Sequence, residues 1–258
     1  MNNIFKYKII SKEIAITGLQ KGVATTSIVI PETIDGMPVV EIGPEAFSFT
    51  SIMDIKIGKN IREIREKAFY MCKKLRSVTW NQKCDVVPAF CFSECSNLTK
   101  FDFSNVKKIG LYAFYKSGLQ EVCLQKNIKV LEEGTFSGCS KLQSVTWHCQ
   151  CDMIPTFCFD KCSNLTQFDF SNIKRIEVRA FRDSGLTSVT LNEETEVGEC
   201  CFSNCNDLEK IEWLSGRSIE GDIFEECQNI KEIIISDNVM GIAVDAFASS
   251  PNAEISFI

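Results

Sequence analysis

Ten phenylalanines recur along the chain at a spacing of 21 to 23 residues: Phe47, Phe69, Phe92, Phe114, Phe136, Phe159, Phe181, Phe202, Phe224 and Phe247. A unit of this length cannot bury an apolar face by itself, so successive copies must stack and share one continuous core. The period therefore predicts a solenoid. Such a fold presents one long repeated surface, which suits binding better than catalysis.

Each phenylalanine keeps the same company. Five residues earlier stands an aliphatic residue, from Ile42, Ile64 and Val87 at the start to Ile242 at the end. The residue just before it is small (Ala46, Ala68 and Cys91 in the first three copies), with Ile223 the exception. Three residues later comes Cys72, Cys95, Cys139, Cys162, Cys205 or Cys227, or else Thr50, Ser117, Ser184 or Ser250. Two apolar residues then alternate, as in Val78/Trp80, Phe101/Phe103, Val122/Leu124 and Ile233/Ile235.

Two local periods give this unit its expected geometry. Alternation sends both apolar side chains to one face of a strand. The apolar groups at i, i+1 and i+4 of Ala-Phe-x-x-Cys suit a short helical or 3₁₀ turn. The expectation is an α/β solenoid of about ten turns, each with one short parallel strand and one short helical segment. With parallel strands roughly 4.8 Å apart, ten turns span on the order of 45–50 Å.

A longer period overlies the first. Residues 69–103 match residues 136–170 at an offset of 67, and Trp80, Trp147 and Trp213 mark three copies of a three-turn block. Matched motifs in the two blocks are therefore read as duplicates, not as cooperating sites.

This unit resembles that of the BspA-like, or Treponema pallidum-type, leucine-rich repeat over about residues 4–258. The opening stretch, with Ile-Pro-Glu-Thr-Ile-Asp-Gly-Met-Pro-Val from Ile30 to Val39, is similar to that family's opening phrase. The resemblance implies a right-handed curved solenoid used for adhesion or protein binding, often on bacterial or protozoan surfaces, with a host or matrix protein as partner. It implies no catalytic residue and no cofactor. The proline that usually follows the strand is missing from most turns, so the exit loops are expected to differ.

Composition narrows the classes further. A hydrophobic fraction of 45% over 258 residues is ample for a continuous core. The division expected is an N-terminal β cap at residues 1–38, carrying a hairpin, followed by a solenoid at residues 39–258. A net charge of −6, with basic pairs such as Lys73/Lys74, Lys107/Lys108 and Lys174/Arg175 on separate turns, argues against nucleic acid. No aliphatic run is long enough to cross a bilayer, and the opening residues lack the apolar region of a signal peptide. The sequence alone thus reads as cytoplasmic, whereas the resemblance implies a cell surface.

Fourteen cysteines invite a disulfide or metal reading. Six fall in the slot three after phenylalanine, and Cys91, Cys158 and Cys201 replace the small residue before it. These nine are expected inward as free thiols, with disulfides between adjacent turns as the alternative. His148-Cys149-Gln150-Cys151 holds the only histidine and is the sharpest metal candidate. It lacks the fourth ligand and second cluster of a structural zinc site, so Cys151 is expected inward and Cys149 on a loop. A single histidine, without a nucleophile motif or phosphate loop, leaves no candidate catalytic or cofactor-binding residues.

The outward strand positions remain as the candidate partner-binding face: Lys56, Thr79, Lys100, Asp102, Glu121, Thr146, Gln167, Asp169, Thr190 and Glu212. This stripe is polar and mixed in charge, without the aromatic anchors of tight protein interfaces. The last turn ends in Ile255-Ser256-Phe257-Ile258 with no polar cap. Solenoids need capped ends, so this edge is expected to meet a second copy, a further C-terminal segment, or its own displaced tail.

Overall fold

The computed structural model describes residues 4–258, so Met1–Asn3 of the expected cap lie outside the described residues. The chain winds through about eleven turns of a β-solenoid. On one face the alternating apolar segments form parallel strands stacked one to one. Val122 of Glu121–Leu124 faces Val145 of Ser144–Trp147, and Val189, Ile211 and Ile233 align across Ser188–Leu191, Lys210–Trp213 and Glu232–Ile235. Register is fixed because a one-residue slip would carry every apolar side chain out of the core.

A second face is built from two-residue strands at the aliphatic position five before each phenylalanine. Ile109 pairs with both Val87 and Leu131, and Ile176 with both Ile154 and Val197. Each rung adds one aliphatic side chain to the core and closes the corner between the strand face and the phenylalanine segment.

The third face corrects the sequence expectation, for the described residues contain no helix. Around each phenylalanine the backbone makes two consecutive tight turns. In most copies the residues two before and two after it take left-handed φ values, as at Lys67 (56°) and Met71 (56°), or Phe90 (55°) and Glu94 (60°). A right-handed helix needs an unbroken run of negative φ, so these residues end it within one turn.

The reason lies in stacking. Helices pack about 8–10 Å apart, whereas the ladder rings repeat every 5.2 to 5.8 Å with planes within 25° of parallel. Only a flat segment fits that rise. Flatness also turns the amides outward to the next turn: the N–H groups of Phe47, Phe69 and Phe92 donate to the carbonyls of Ala68, Cys91 and Ala113 at 2.8 to 3.0 Å. The spacing i, i+1, i+4 fits either conformation, so the fold is all-β where α/β was expected.

The core is one continuous column. Nine of the ten ladder phenylalanines are fully buried, Phe247 being the half-buried exception. Ten cysteines are buried: the nine inward positions and Cys84. All fourteen are free thiols. The block tryptophans share one task, since the indole Nε1 donates to the carbonyl four residues on: Trp80 to Cys84 (2.8 Å), Trp147 to Cys151 (2.9 Å) and Trp213 to Arg217 (3.1 Å). Each ring thereby closes the loop that leaves its strand.

The ends differ. At the N-terminus Phe5–Ile10 and Glu13–Leu19 form an antiparallel hairpin through Ser11 and Lys12, both with positive φ. Its second strand joins Met37–Ile42, and Phe5 meets the first ladder ring, Phe47, edge-on at 6.4 Å. Ser27–Val29 already pairs in parallel with Asp54–Lys56 as the first rung of the strand face. At the other end Glu254–Phe257 continues the sheet beside Glu232–Ile235, so the tail is not displaced. Ile255, Phe257 and Ile258 are nevertheless 49, 56 and 66% exposed.

Candidate functional site

The strand face carries the residues that alternation points outward. Lys56, Thr79, Glu121, Thr146 and Thr190 are exposed on their strands, and Glu212 is half-buried on Lys210–Trp213. Lys100, Asp102, Gln167 and Asp169 are exposed as well, but not on strands. The segments expected to form strands at 100–103 and 167–170 are irregular, and the sheet divides there into three sections.

Aromatic bulk explains the two breaks. Where other rungs carry at least one aliphatic residue of the alternating pair, these two carry only aromatics, Phe101/Phe103 and Phe168/Phe170. The Phe101 ring wedges between Phe92 (5.3 Å) and Phe114 (5.1 Å), and Phe168 between Phe159 (5.6 Å) and Phe181 (5.1 Å). Rings occupying the ladder space hold the backbone off the strand path. In consequence the main-chain N–H and C=O groups of Lys100, Phe101 and Asp102, and of Gln167, Phe168 and Asp169, have no hydrogen-bond partner among the described residues.

Elsewhere the face satisfies itself. Ser77 Oγ donates to Asp54 Oδ1 at 2.6 Å, and Thr190 Oγ1 to Glu212 Oε2 at 3.1 Å. Lys210 bridges Glu212 and Glu232, each at 3.1 Å, and these partners raise its pKa. The candidate positions on strands form three clusters, and Lys100, Asp102, Gln167 and Asp169 lie on the breaks between them. At the second break Gln143, Ser144, Thr166, Gln167, Asp169 and Ser188 surround an open groove of about 460 Å³. The Ser171 N–H, donating at 3.0 Å, holds the Asp169 carboxyl below its ordinary range.

The His148–Cys151 loop leaves strand Ser144–Trp147 with Cys149 outside the strand and Cys151 turned to the core, as expected. Cys149 and Cys151 are both half-buried and pack against the core, while His148 is exposed. Among the described residues no group of three or more His, Cys, Asp or Glu side chains is placed to hold a metal ion.

Surface aromatics gather on the turn face, which the strand-centred reading overlooked. Phe90 stacks on Tyr112 at 5.7 Å, with Lys67 Nζ 6.0 Å from the Phe90 centroid, and Phe157 lies 5.9 Å from the Arg179 guanidinium. Burial and the Glu133 carboxylate push Tyr112 up to about 12. The recurrence of Phe90, Tyr112 and Phe157 two residues before the ladder was the available signal.

Comparison with known proteins bears on the fold. A leucine-rich-repeat protein from Bacteroides ovatus is 18% identical, with a TM-score of 0.65 over 100% of this chain and 99% of its own. A leucine-rich cell surface protein from Faecalibacterium prausnitzii is 20% identical, with a TM-score of 0.57 over 100% and 94%. The T. pallidum leucine-rich-repeat protein is 22% identical, with a TM-score of 0.52 over 83% and 81%. A search of curated proteins finds no match. The model of the BspA type leucine rich repeat region matches residues 13–143, 104–209 and 195–258, and the chain belongs to that family.

Proposed function

We propose that this chain is a non-catalytic binding module that presents its strand face to a protein partner, in the manner of an adhesion protein. The observation that carries the reading is the division of labour between the faces. The interior is consumed by the ring column and thiol ladder, while the strand face displays an extended polar surface from Lys56 to Glu212. A cell-surface location rests on family likeness and on the F. prausnitzii relative, described as a cell surface protein. Immobilised chain should retain a host-matrix protein saturably, and Lys56→Glu with Glu121→Lys should weaken that binding at least tenfold. Absence of any saturable partner would favour a structural spacer, a reading supported by the self-satisfied pairs Ser77–Asp54 and Thr190–Glu212.

Self-association through the last rung belongs to the same proposal, since Ile255, Phe257 and Ile258 offer exposed apolar surface. Sedimentation at micromolar concentration should show a dimer that Phe257→Lys abolishes; monomer alone would end that part of the reading.

A further inference from the structure

The two sheet breaks share a backbone but not a lining, and the difference points to a ligand. At the first, the positions flanking Thr99 and Asp102 are Arg76, Lys100 and Glu121; at the second, 67 residues on, they are Gln143, Gln167 and Ser188. Three charged side chains are thus exchanged for two carboxamides and a hydroxyl around an otherwise repeated loop. No lysine, arginine or histidine lines the second groove.

We propose that the groove at Gln167–Asp169 binds a neutral oligosaccharide. Sugar hydroxyls donate and accept at once, so they match a surface that mixes both roles. The carboxamides of Gln143 and Gln167 and the hydroxyls of Ser144, Thr166 and Ser188 provide both, and Asp169 adds a charged acceptor. The main-chain groups of Gln167, Phe168 and Asp169 add donors and acceptors in fixed positions that no rung of the sheet takes up. An anionic ligand would find no cation here. An apolar anchor would find only Val145, which packs against the core, and Phe168, whose ring is committed to Trp147, Phe159, Phe170 and Phe181. An added peptide strand needs an accessible sheet edge, and the edges that Ser144–Trp147 and Ser188–Leu191 present at the break face each other across residues 167–170, which already take the place of one rung.

The chain supplies its own control. The triple variant Gln143→Arg, Gln167→Lys, Ser188→Glu rebuilds the lining of the first break in the second, where the same backbone already tolerates those side chains. Titration with neutral oligosaccharides (xylo-, cello-, malto- and chito-oligomers), followed by amide chemical shifts, should move resonances around Gln143, Gln167 and Ser188. The triple variant should weaken that binding about tenfold or more, the equivalent of roughly one lost neutral hydrogen bond. No shift with any of these sugars at about 10 mM, or equal binding by the variant, would overturn the proposal. Retention of a protein partner is scored separately: Lys56 and Glu121 do not line this groove, so each reading fails on its own experiment.

Discussion

The thiol of Cys139 lies 3.1 Å from the carbonyl oxygen of Phe114, the ladder residue one turn earlier. Cys72, Cys95, Cys162, Cys205 and Cys227 repeat the relation with Phe47, Phe69, Phe136, Phe181 and Phe202 at 3.0 to 3.3 Å. Each sulfur thus donates between turns while its methylene packs in the column, and Ser117 Oγ sits 3.3 Å from Cys139 Sγ at the end of a run. Thiol titration of the native protein should modify exposed Cys123 first and half-buried Cys149, Cys151 and Cys200 more slowly. The remaining ten should react only on unfolding, and fewer than fourteen thiols in denaturant without reductant would contradict the free ladder.

Alkaline pH should loosen the fold. Burial pushes Cys72 up to about 11 and Cys139 up to about 12 from an ordinary value of 9.0. Below about pH 9 these thiols stay protonated in folded and unfolded chains alike. Between about pH 9 and 12 the unfolded chain releases protons that the folded chain retains, so stability falls as pH rises. Thermal melts should give a Tm that is flat with respect to these thiols below about pH 8 and declines above about pH 9. A Tm still flat at about pH 10.5 would show that ladder thiols do not resist ionisation.

Ring stacking predicts a gradient of sensitivity along the ladder. Phe114→Ala removes a fully buried ring held between Phe92 at 5.4 Å and Phe136 at 5.8 Å, and should cost about 3–5 kcal/mol. Phe247 is half-buried and stacks on Phe224 alone among the ladder rings, so Phe247→Ala should cost about half as much or less. Urea denaturation measures both, and equal losses would mean that the column is not the source of stability.

Gly134 tests the flat turns. Its φ is +62°, and a Cβ there would lie 2.2 Å from Tyr112 Cε1. Gly134→Ala should destabilise by more than the ~1 kcal/mol that a left-handed residue alone costs. Adding Tyr112→Ala removes the clash and should make the alanine cheaper than it is beside the native ring. A double-mutant cycle with no coupling would refute the contact.

Asp160 is 6% exposed, and its carboxylate accepts from Arg182 Nε at 2.7 Å. Arg182→Met leaves this buried charge with only Ser137 Oγ at 3.4 Å as a donor, and should cost about 3 kcal/mol. Asp160→Asn in the same background removes the charge and should recover part of that loss. Additive effects in chemical denaturation would show that the pair is not coupled.

Legibility followed whichever constraint was local. The six ladder cysteines and the ten phenylalanines could be placed by register because inward positions repeat with the turn. The helical expectation failed at segments such as Ala68-Phe69-x-x-Cys72, whose apolar spacing suits helix and double turn equally. Lys100, Asp102, Gln167 and Asp169 read as strand residues in the sequence because Phe101/Phe103 and Phe168/Phe170 alternate like any strand. Ring size, which alternation does not register, broke the ladder there.

By itself the sequence determined the repeat, the inward set and the block duplication, because a 21-to-23-residue period leaves a stacked solenoid as the way to bury each unit's apolar face. Tertiary structure decided what fills the space between neighbouring turns. A 5.2 to 5.8 Å ring spacing excludes helices, and paired phenylalanines lift two segments out of the sheet, opening the groove beside Gln167. Both outcomes depend on how bulky side chains from different turns share one column. That contact exists only once the turns have stacked.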